Sequence, residues 1–235
     1  MRNLAARVLV PEVMDDPALE TDRHHAALRA LTRINFLSAS ARILWSPIRQ
    51  LARELKTDRL RVLDIATGAG DIPLALWRKA QQAGLKLEVQ GVDISERALD
   101  FARRRSAACK APIQFSRLDV FQDSVPSGFD VVVCSLFLHH LSSEQAARLL
   151  PAMASAAKHL VAISDLRRSH SGLALAYLAS RTLTRCDVVH TDALLSVRAA
   201  FSVPEMQALA EAAGLNNAQV VRRWPCRFLL TWRKR

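Results

Sequence analysis

Apolar positions along the chain follow two alternating rhythms. Short unbroken runs, such as Val62-Leu63-Asp64-Ile65-Ala66 and Phe129-Asp130-Val131-Val132-Val133-Cys134-Ser135, have the length and continuity of buried strands. Between the runs, apolar residues recur at helical spacing, as in Ile72-Pro73-Leu74-Ala75-Leu76-Trp77 and from Ser95 to Ala108, where Leu99 and Ala102 share a face. The pattern predicts strands near 61–66, 86–93, 113–118, 129–135 and 159–164, with helices between them. Strands alternating with helices imply an α/β fold, a doubly wound and mostly parallel sheet. At the end of the chain, Asn217–Arg223 and Arg227–Trp232 flank Trp224-Pro225 and predict an antiparallel hairpin, with Trp224 and Trp232 packed inside.

Before the first strand the pattern is helical. Leu28, Leu31, Ile34 and Leu37 fall at helical spacing, a break is expected at Ser46-Pro47, and Ile48, Leu51, Ala52 and Leu55 resume the pattern. Residues 1–20 read as irregular. The division expected is therefore 1–56 as an N-terminal helical cap or lid and 57–235 as the α/β domain. A helical insert falls at about 166–200, a helix over 172–186 followed by a polar loop. Cap signals punctuate the chain: Asp71, Ser95, a capping box at Ser142–Gln145 and another at Ser202–Glu205, with Gly84 and Gly214 closing helices.

The chemistry gathers where strands end. Thr67-Gly68-Ala69-Gly70 is a small-residue turn after the first strand, and glycine there lets the backbone approach a ligand or take a positive φ. Asp93 closes the second strand, where an acid can hold both hydroxyls of a ribose. Asp119, His139 with His140, and Asp165 follow the third, fourth and fifth strands. Ligands of open α/β sheets bind beyond this edge, near the switch in strand order.

Val-Leu-Asp-Ile-Ala-Thr-Gly-Ala-Gly-Asp over 62–71, the acid at Asp93 and Ser-x-x-Leu-His-His-Leu over 135–141 resemble the class I S-adenosylmethionine-dependent methyltransferases. The first motif is most similar to the quinone-biosynthesis members, and the whole to small-molecule natural-product enzymes. Many members carry Gly at the position of Ala66. The resemblance implies a Rossmann-like domain with S-adenosyl-L-methionine as cofactor. It implies cofactor contacts from Asp64, Ala66, Thr67, Gly68 and Gly70, from Asp93 and Ile94, from Asp119 and Val120 at the adenine, and from Ser135. It also implies that the N-terminal helical segment covers the substrate. His24, His25, Arg33 and Asn35 become candidate pocket residues, with His190 and Arg198 from the insert.

Methyl transfer to a hydroxyl needs a proton acceptor, and histidine titrates in the right range. His139 is the expected base and Asp165 its orienting partner, with His140 as the alternative. Otherwise one histidine stacks near the cofactor and the other caps the following helix. The expected function is methylation of a small aromatic, phenolic or quinone-like molecule, on oxygen before carbon.

Composition narrows the rest. The 235 residues, half of them hydrophobic, suffice for one domain with an appendage, and no run is long enough to span a bilayer. No signal peptide is evident, so a cytoplasmic protein is expected. Four cysteines without metal-ligand spacing suggest free thiols, and no metal ligand is expected. The net charge of +11 keeps an RNA methyltransferase and peripheral membrane contact open. However, the Ser-x-x-Leu-His-His pattern does not resemble the Asn-Pro-Pro-Tyr motif of enzymes that methylate base amino groups, which disfavours nucleic acid. A cofactor-binding protein without catalysis and a dinucleotide dehydrogenase are the other readings. Oligomeric state is open.

Overall fold

The computed structural model describes residues 4–15, 18–20, 22–23, 26–30 and 40–234. Seven strands form one sheet: β1 (Arg59–Ile65), β2 (Lys86–Asp93), β3 (Gln114–Arg117), β4 (Phe129–Ser135), β5 (Ala157–Leu166), β6 (Gln219–Arg223) and β7 (Arg227–Arg233). Their order is β3-β2-β1-β4-β5-β7-β6. The first five are parallel, while β7 runs antiparallel to β5 and to β6. The order reverses between β1 and β4, and Ile65 pairs with Cys134 there. Their carboxyl ends therefore frame the switch-point crevice.

Helices α1 (Ser40–Glu54), α2 (Asp71–Gln82), α3 (Glu96–Ala108), α4 (Ser143–Ala156), α5 (His170–Leu183), α6 (Asp187–Ala199) and α7 (Val203–Ala212) are joined by two short 3-10 helices, Val13–Asp15 and Leu138–His140. Leu44, Ile48 and Leu51 of α1 join Leu76 of α2 on one face of the sheet. Leu149, Leu150 and Met153 of α4 join Met206 of α7 on the other. This is the doubly wound, Rossmann-like sheet with an antiparallel C-terminal hairpin that the alternating pattern predicts.

Four local expectations fail, each for a physical reason. Trp224 does not pack: it follows the last residue of β6 at the hairpin tip and is exposed. Pro47 does not break the N-terminal helix: it lies inside α1 and is buried. An interior proline costs about 3 kcal/mol, which the apolar stripe of Ile43, Leu44, Ile48 and Leu51 outweighs by covering the sheet. Asp71 is the first residue of α2 rather than its cap, because Gly70 takes the cap position with φ 69°. Residues 190–198 are not a loop but helix α6. Its polar groups are used internally: the Asp192 carboxylate accepts the backbone N–H groups of Val13 and Met14 at 2.9 and 3.0 Å.

The N-terminal segment runs along the carboxyl edge of the sheet, held by two arginines. Arg7 donates to the carbonyls of Ala199 (2.6 Å) and Leu141 (2.8 Å). Buried Arg168 donates to the carbonyls of Leu4 (2.9 Å) and Ala200 (2.7 Å) and grips Glu205 with two bonds of 2.9 and 2.6 Å. Glu205 also closes the capping box of α7, accepting from Ser202 N at 2.7 Å. The two arginines bring Glu12 and Met14 to the crevice.

Candidate active site

A cavity of about 1030 Å³ opens at the switch point. Small-molecule sites run from about 300 to about 1,000 Å³, so this one stands at the upper end of that range. Its walls include Asp64, Ala66, Thr67 and Gly68 from the first turn, Asp93 and Ile94 from the second, and Asp119 and Val120 from the third. Ser135, His139 and His140 follow β4 and line it as well.

The first turn is built by exchange of small residues. Gly91 of β2 leaves room for Thr67, whose hydroxyl would lie 2.7 Å from a Cβ at that position. The Thr67 hydroxyl donates to Asp64 Oδ2 at 2.6 Å. The Gly68 N–H donates to Asp93 Oδ2 at 2.8 Å, and Ser95 N to Asp93 Oδ1 at 2.9 Å. The Asp93 carboxylate is thereby fixed at the end of β2, on the cavity wall. A Cβ on Gly68, at φ +52°, would meet nothing within 4 Å, so this backbone is open to a ligand.

Gly70 is different. A Cβ there would lie 2.8 Å from Ala102 Cβ and 3.0 Å from the Phe115 ring. Gly70 is buried and does not line the cavity, so its smallness serves the packing of α2 against α3 rather than contact with a ligand. Ala66 has φ 54°. The position favours glycine for conformational reasons, and the chain holds alanine there against the left-handed penalty.

Two buried oxygens at the cavity, Asp64 Oδ1 and Ser135 Oγ, have no hydrogen-bond partner among the described residues. Buried polar atoms are nearly always paired, so each calls for an explanation. Burial pushes the Asp64 carboxyl up to about 8, helped by the charges of Asp71 and Asp93 and opposed by the Thr67 hydrogen bond. A cationic ligand beside Oδ1 would relieve that burden. The donor set therefore fits a ligand with a positive group near the first turn and a ribose near Asp93.

The fourth and fifth strand ends form a pair. Asp165 is buried behind His139 and does not itself line the cavity. Its Oδ1 lies 2.7 Å from His139 Nδ1, and its Oδ2 accepts the His139 backbone N–H at 3.1 Å. Burial raises the Asp165 carboxyl, but the charge and hydrogen bond of His139, the Leu166 N–H and the charge of His140 outweigh it and hold it below its ordinary value. With Nδ1 on the carboxylate, Nε2 faces Glu12 Oε1 at 3.8 Å. The His140 ring lies 4.3 Å from that of His139. Neither histidine caps α4, since Ser142 does so.

Other candidates stand elsewhere. His190 Nε2 bonds the Thr184 carbonyl at 2.9 Å, and neither His190 nor Arg198 lines the cavity. Both belong to α6, whose cavity face is Val189, Ala193, Ser196 and Val197. His24, His25, Arg33 and Asn35 lie outside the described residues. Sequence reasoning missed Glu12, Met14, Leu28 and Arg227, all of which line the cavity. Glu12 accepts a short bond from Ser196. Arg227 is buried, and burial lowers its guanidinium to about 10 against the charges of Asp165 and Asp71. Little in the sequence signals these roles: residues 10–19 mix two prolines with three acids, and Arg227 follows a tight turn. Glu12, His139 and His140 also place one donor atom each within 4.8 Å of one another, a group that could hold a metal ion.

Comparison with known proteins agrees with this geometry. Residues 62–160 match a family model described as a methyltransferase domain. Over 76 residues the chain is 37% identical to a demethylmenaquinone methyltransferase of Deinococcus radiodurans, covering 32% of this chain and 30% of that protein. Over 86 residues it is 33% identical to a release factor glutamine methyltransferase of Lactococcus lactis, covering 37% and 30%. The chain thus spans about a third of the length of these relatives. The plantazolicin methyltransferase BpumL, solved with S-adenosylhomocysteine, superposes with a TM-score of 0.66 at 15% identity, covering 94% of this chain and 92% of that one. The S-adenosylmethionine-dependent methyltransferase SibL gives 0.65 at 19%, covering 93% and 60%. Residues 62–160 thus match a methyltransferase domain, and the chain shares its Rossmann-like fold with methyltransferases, as the resemblance at the glycine turn and strand ends implies.

Proposed function

We propose that this chain transfers the methyl group of S-adenosyl-L-methionine to a hydroxyl of a small aromatic, phenolic or quinone-like molecule. The observation that carries the reading is the His139–Asp165 pair, 2.7 Å apart and set against the same cavity as the glycine turn. When bound, the cofactor supplies the methyl group, and the S–C bonding electrons leave with its sulfur.

Each residue has a stated part in this reading. Asp93 takes the ribose hydroxyls and Asp119 with Val120 the adenine. Asp64 Oδ1 meets the cationic end of the cofactor, and Ser135 Oγ gains the partner it lacks. His139 Nε2 accepts the acceptor's hydroxyl proton as the O–CH₃ bond forms. Asp165 keeps Nδ1–H in place and balances the imidazolium that results. Positioning dominates the rate in such a displacement, and the base adds about 10²–10⁴-fold. Residues 4–30 supply Glu12, Met14 and Leu28 to the acceptor side.

A second reading rests on the donor group Glu12, His139 and His140. A divalent cation held there would take the acceptor oxygen in place of a free imidazole. Turnover that survives exhaustive chelation selects the first reading.

The test is transfer of isotopically labelled methyl to a panel of phenols and hydroquinones. The proposal expects a product from wild type and loss of turnover in His139→Ala with cofactor affinity retained. Unchanged turnover in that variant removes His139 from the role.

A further inference from the structure

The cavity lies beneath helix α5, and that helix has an unusual polarity. Of its 14 residues only Gly172 and Ser180 are buried. Surface helices normally turn an apolar stripe inward and a polar face outward. Here the outer face carries apolar residues as well, between Ser171 at one end and Arg181 and Thr182 at the other. Ala176, Ala179 and Leu183 face the cavity. On the outer side Tyr177 and Leu178 stand 50% and 59% exposed, with Ala174 beside them.

The hairpin tip extends this surface. Trp224 is 80% exposed and also lines the cavity, so it stands at the mouth. The tip abuts the start of α5: Cys226 Sγ lies 3.6 Å from Ser171 Oγ, and the Cys226 carbonyl accepts Arg167 N–H at 3.0 Å. Trp224 and the outer face of α5 therefore edge one opening, along a strip of about 20 Å at 1.5 Å per residue.

Cations border the strip. No acidic residue occurs between Leu166 and Cys186 or after Glu211. Arg222 and Arg223 are exposed just before Trp224. At the far end of α5, Arg181 and Arg185 share a surface groove with Arg23 and Arg29, and Asp187 pairs with Arg23 at 2.6 Å. The Arg181 guanidinium lies 3.9 Å from the centre of the Tyr177 ring. Tyrosine and tryptophan settle at the headgroup level of bilayers, and arginines near that level are drawn to anionic lipid. A nucleic-acid duplex would engage the arginines but leave Tyr177, Leu178 and Trp224 in water, and a single strand stacked on the two rings would still leave Leu178 there. A second copy of the chain would set the same arginines against each other.

We propose that the rim formed by the outer face of α5, Trp224 and the flanking arginines docks on an anionic lipid surface, and that the cavity takes an amphiphilic acceptor from it. The acceptor clause rests on the methyltransferase reading, while the docking clause does not. No helix among the described residues is long and apolar enough to cross a membrane, so the contact is peripheral.

The test is cosedimentation of the full chain with vesicles of phosphatidylglycerol mixed into phosphatidylcholine, and with phosphatidylcholine alone. The proposal expects partition into the anionic vesicles that falls about tenfold or more on raising salt, as screening requires. A triple variant, Tyr177→Ser with Leu178→Ser and Trp224→Ser, and a double variant, Arg181→Glu with Arg185→Glu, should each lose at least about tenfold of that partition. All these residues are exposed, and an unchanged melting temperature checks that the fold survives. Equal binding to neutral vesicles, undiminished binding of either variant, or burial of the rim in a homodimer or on RNA would overturn the docking. A melting shift with S-adenosylhomocysteine is the independent control. Its loss with vesicle binding intact would sink the methyltransferase reading alone, and the reverse would sink the docking alone.

Discussion

His139 presents Nδ1 to Asp165 Oδ1 at 2.7 Å, and Asp165 Oδ2 accepts the backbone N–H of the same histidine at 3.1 Å. One carboxylate thus fixes both the ring and the turn that carries it. Replacing Asp165 with Asn keeps the shape but removes the charge that balances an imidazolium. Turnover should fall about 10²-fold or more, within the range of lost base catalysis. Binding of S-adenosylhomocysteine should change far less, because Asp165 does not line the cavity. Parallel loss of both would show that the pair is structural.

Asp64 gives a pH signature. Its folded carboxyl sits at about 8 against an ordinary 3.8, chiefly through burial. The folded chain keeps a proton that the unfolded chain releases, so this residue costs stability as pH rises from about 4 to 8, with a limiting slope of about 1.4 kcal/mol per unit. Asp64→Asn should therefore gain on wild type over that window in urea unfolding without ligand. A cationic ligand at Oδ1 reverses the preference and expels the proton. Wild-type affinity for S-adenosylmethionine should rise toward pH 8, while the Asn variant should bind weakly at every pH. Parallel pH profiles for the two proteins would refute the assignment.

The glycine turn separates packing from binding. Gly70→Ala drives a methyl to 2.8 Å from Ala102 Cβ at φ +69° and should cost roughly 2–4 kcal/mol of stability. Gly68→Ala meets open space at φ +52° and should cost only about 1 kcal/mol while weakening cofactor binding. Ala66→Gly should do the opposite, raising stability by up to about 1 kcal/mol by relieving φ 54°. Chemical denaturation of the three variants checks the order.

Arg168 joins the N-terminal segment to α7 through Leu4, Ala200 and both oxygens of Glu205. Arg168→Met should lose roughly 2–4 kcal/mol, since the charged hydrogen bonds go while Glu205 remains partly exposed to water. Protease cleavage near residues 4–12 should speed up. Turnover should fall through misplacement of Glu12, with cofactor affinity retained. Unaltered cleavage would mean that Arg7 and the Asp192 contacts hold the segment without Arg168.

Much of this was legible from the sequence because the signals are local. Apolar runs mark the parallel strands, Ser142–Gln145 and Ser202–Glu205 mark helix starts, and the residues after β1, β2, β3 and β4 converge because one sheet edge collects them. What was not legible depends on distant partners. Glu12 and Met14 reach the cavity through partners far along the chain: Arg168 bridges to Leu4 across 164 positions, Arg7 to Ala199, and Asp192 to Val13 and Met14. Asp192 reads as a loop residue until Val13 and Met14 supply its partners. Pro47 looks like a break because its local cost is visible in the sequence and its packing gain is not. Trp224 was expected inside on hydrophobicity alone, yet the hairpin carries it past the end of the sheet.

The central claim is that the crevice between β1 and β4 holds S-adenosylmethionine through Asp93 and the first turn. Calorimetric titration with S-adenosylhomocysteine, and separately with NAD, tests it most directly. The account predicts one equivalent of S-adenosylhomocysteine bound per chain, no binding of NAD, and affinity at least about tenfold weaker in Asp93→Ala, as the loss of charged hydrogen bonds to a ribose requires. Binding of NAD instead, or an affinity for S-adenosylhomocysteine indifferent to Asp93, would contradict it.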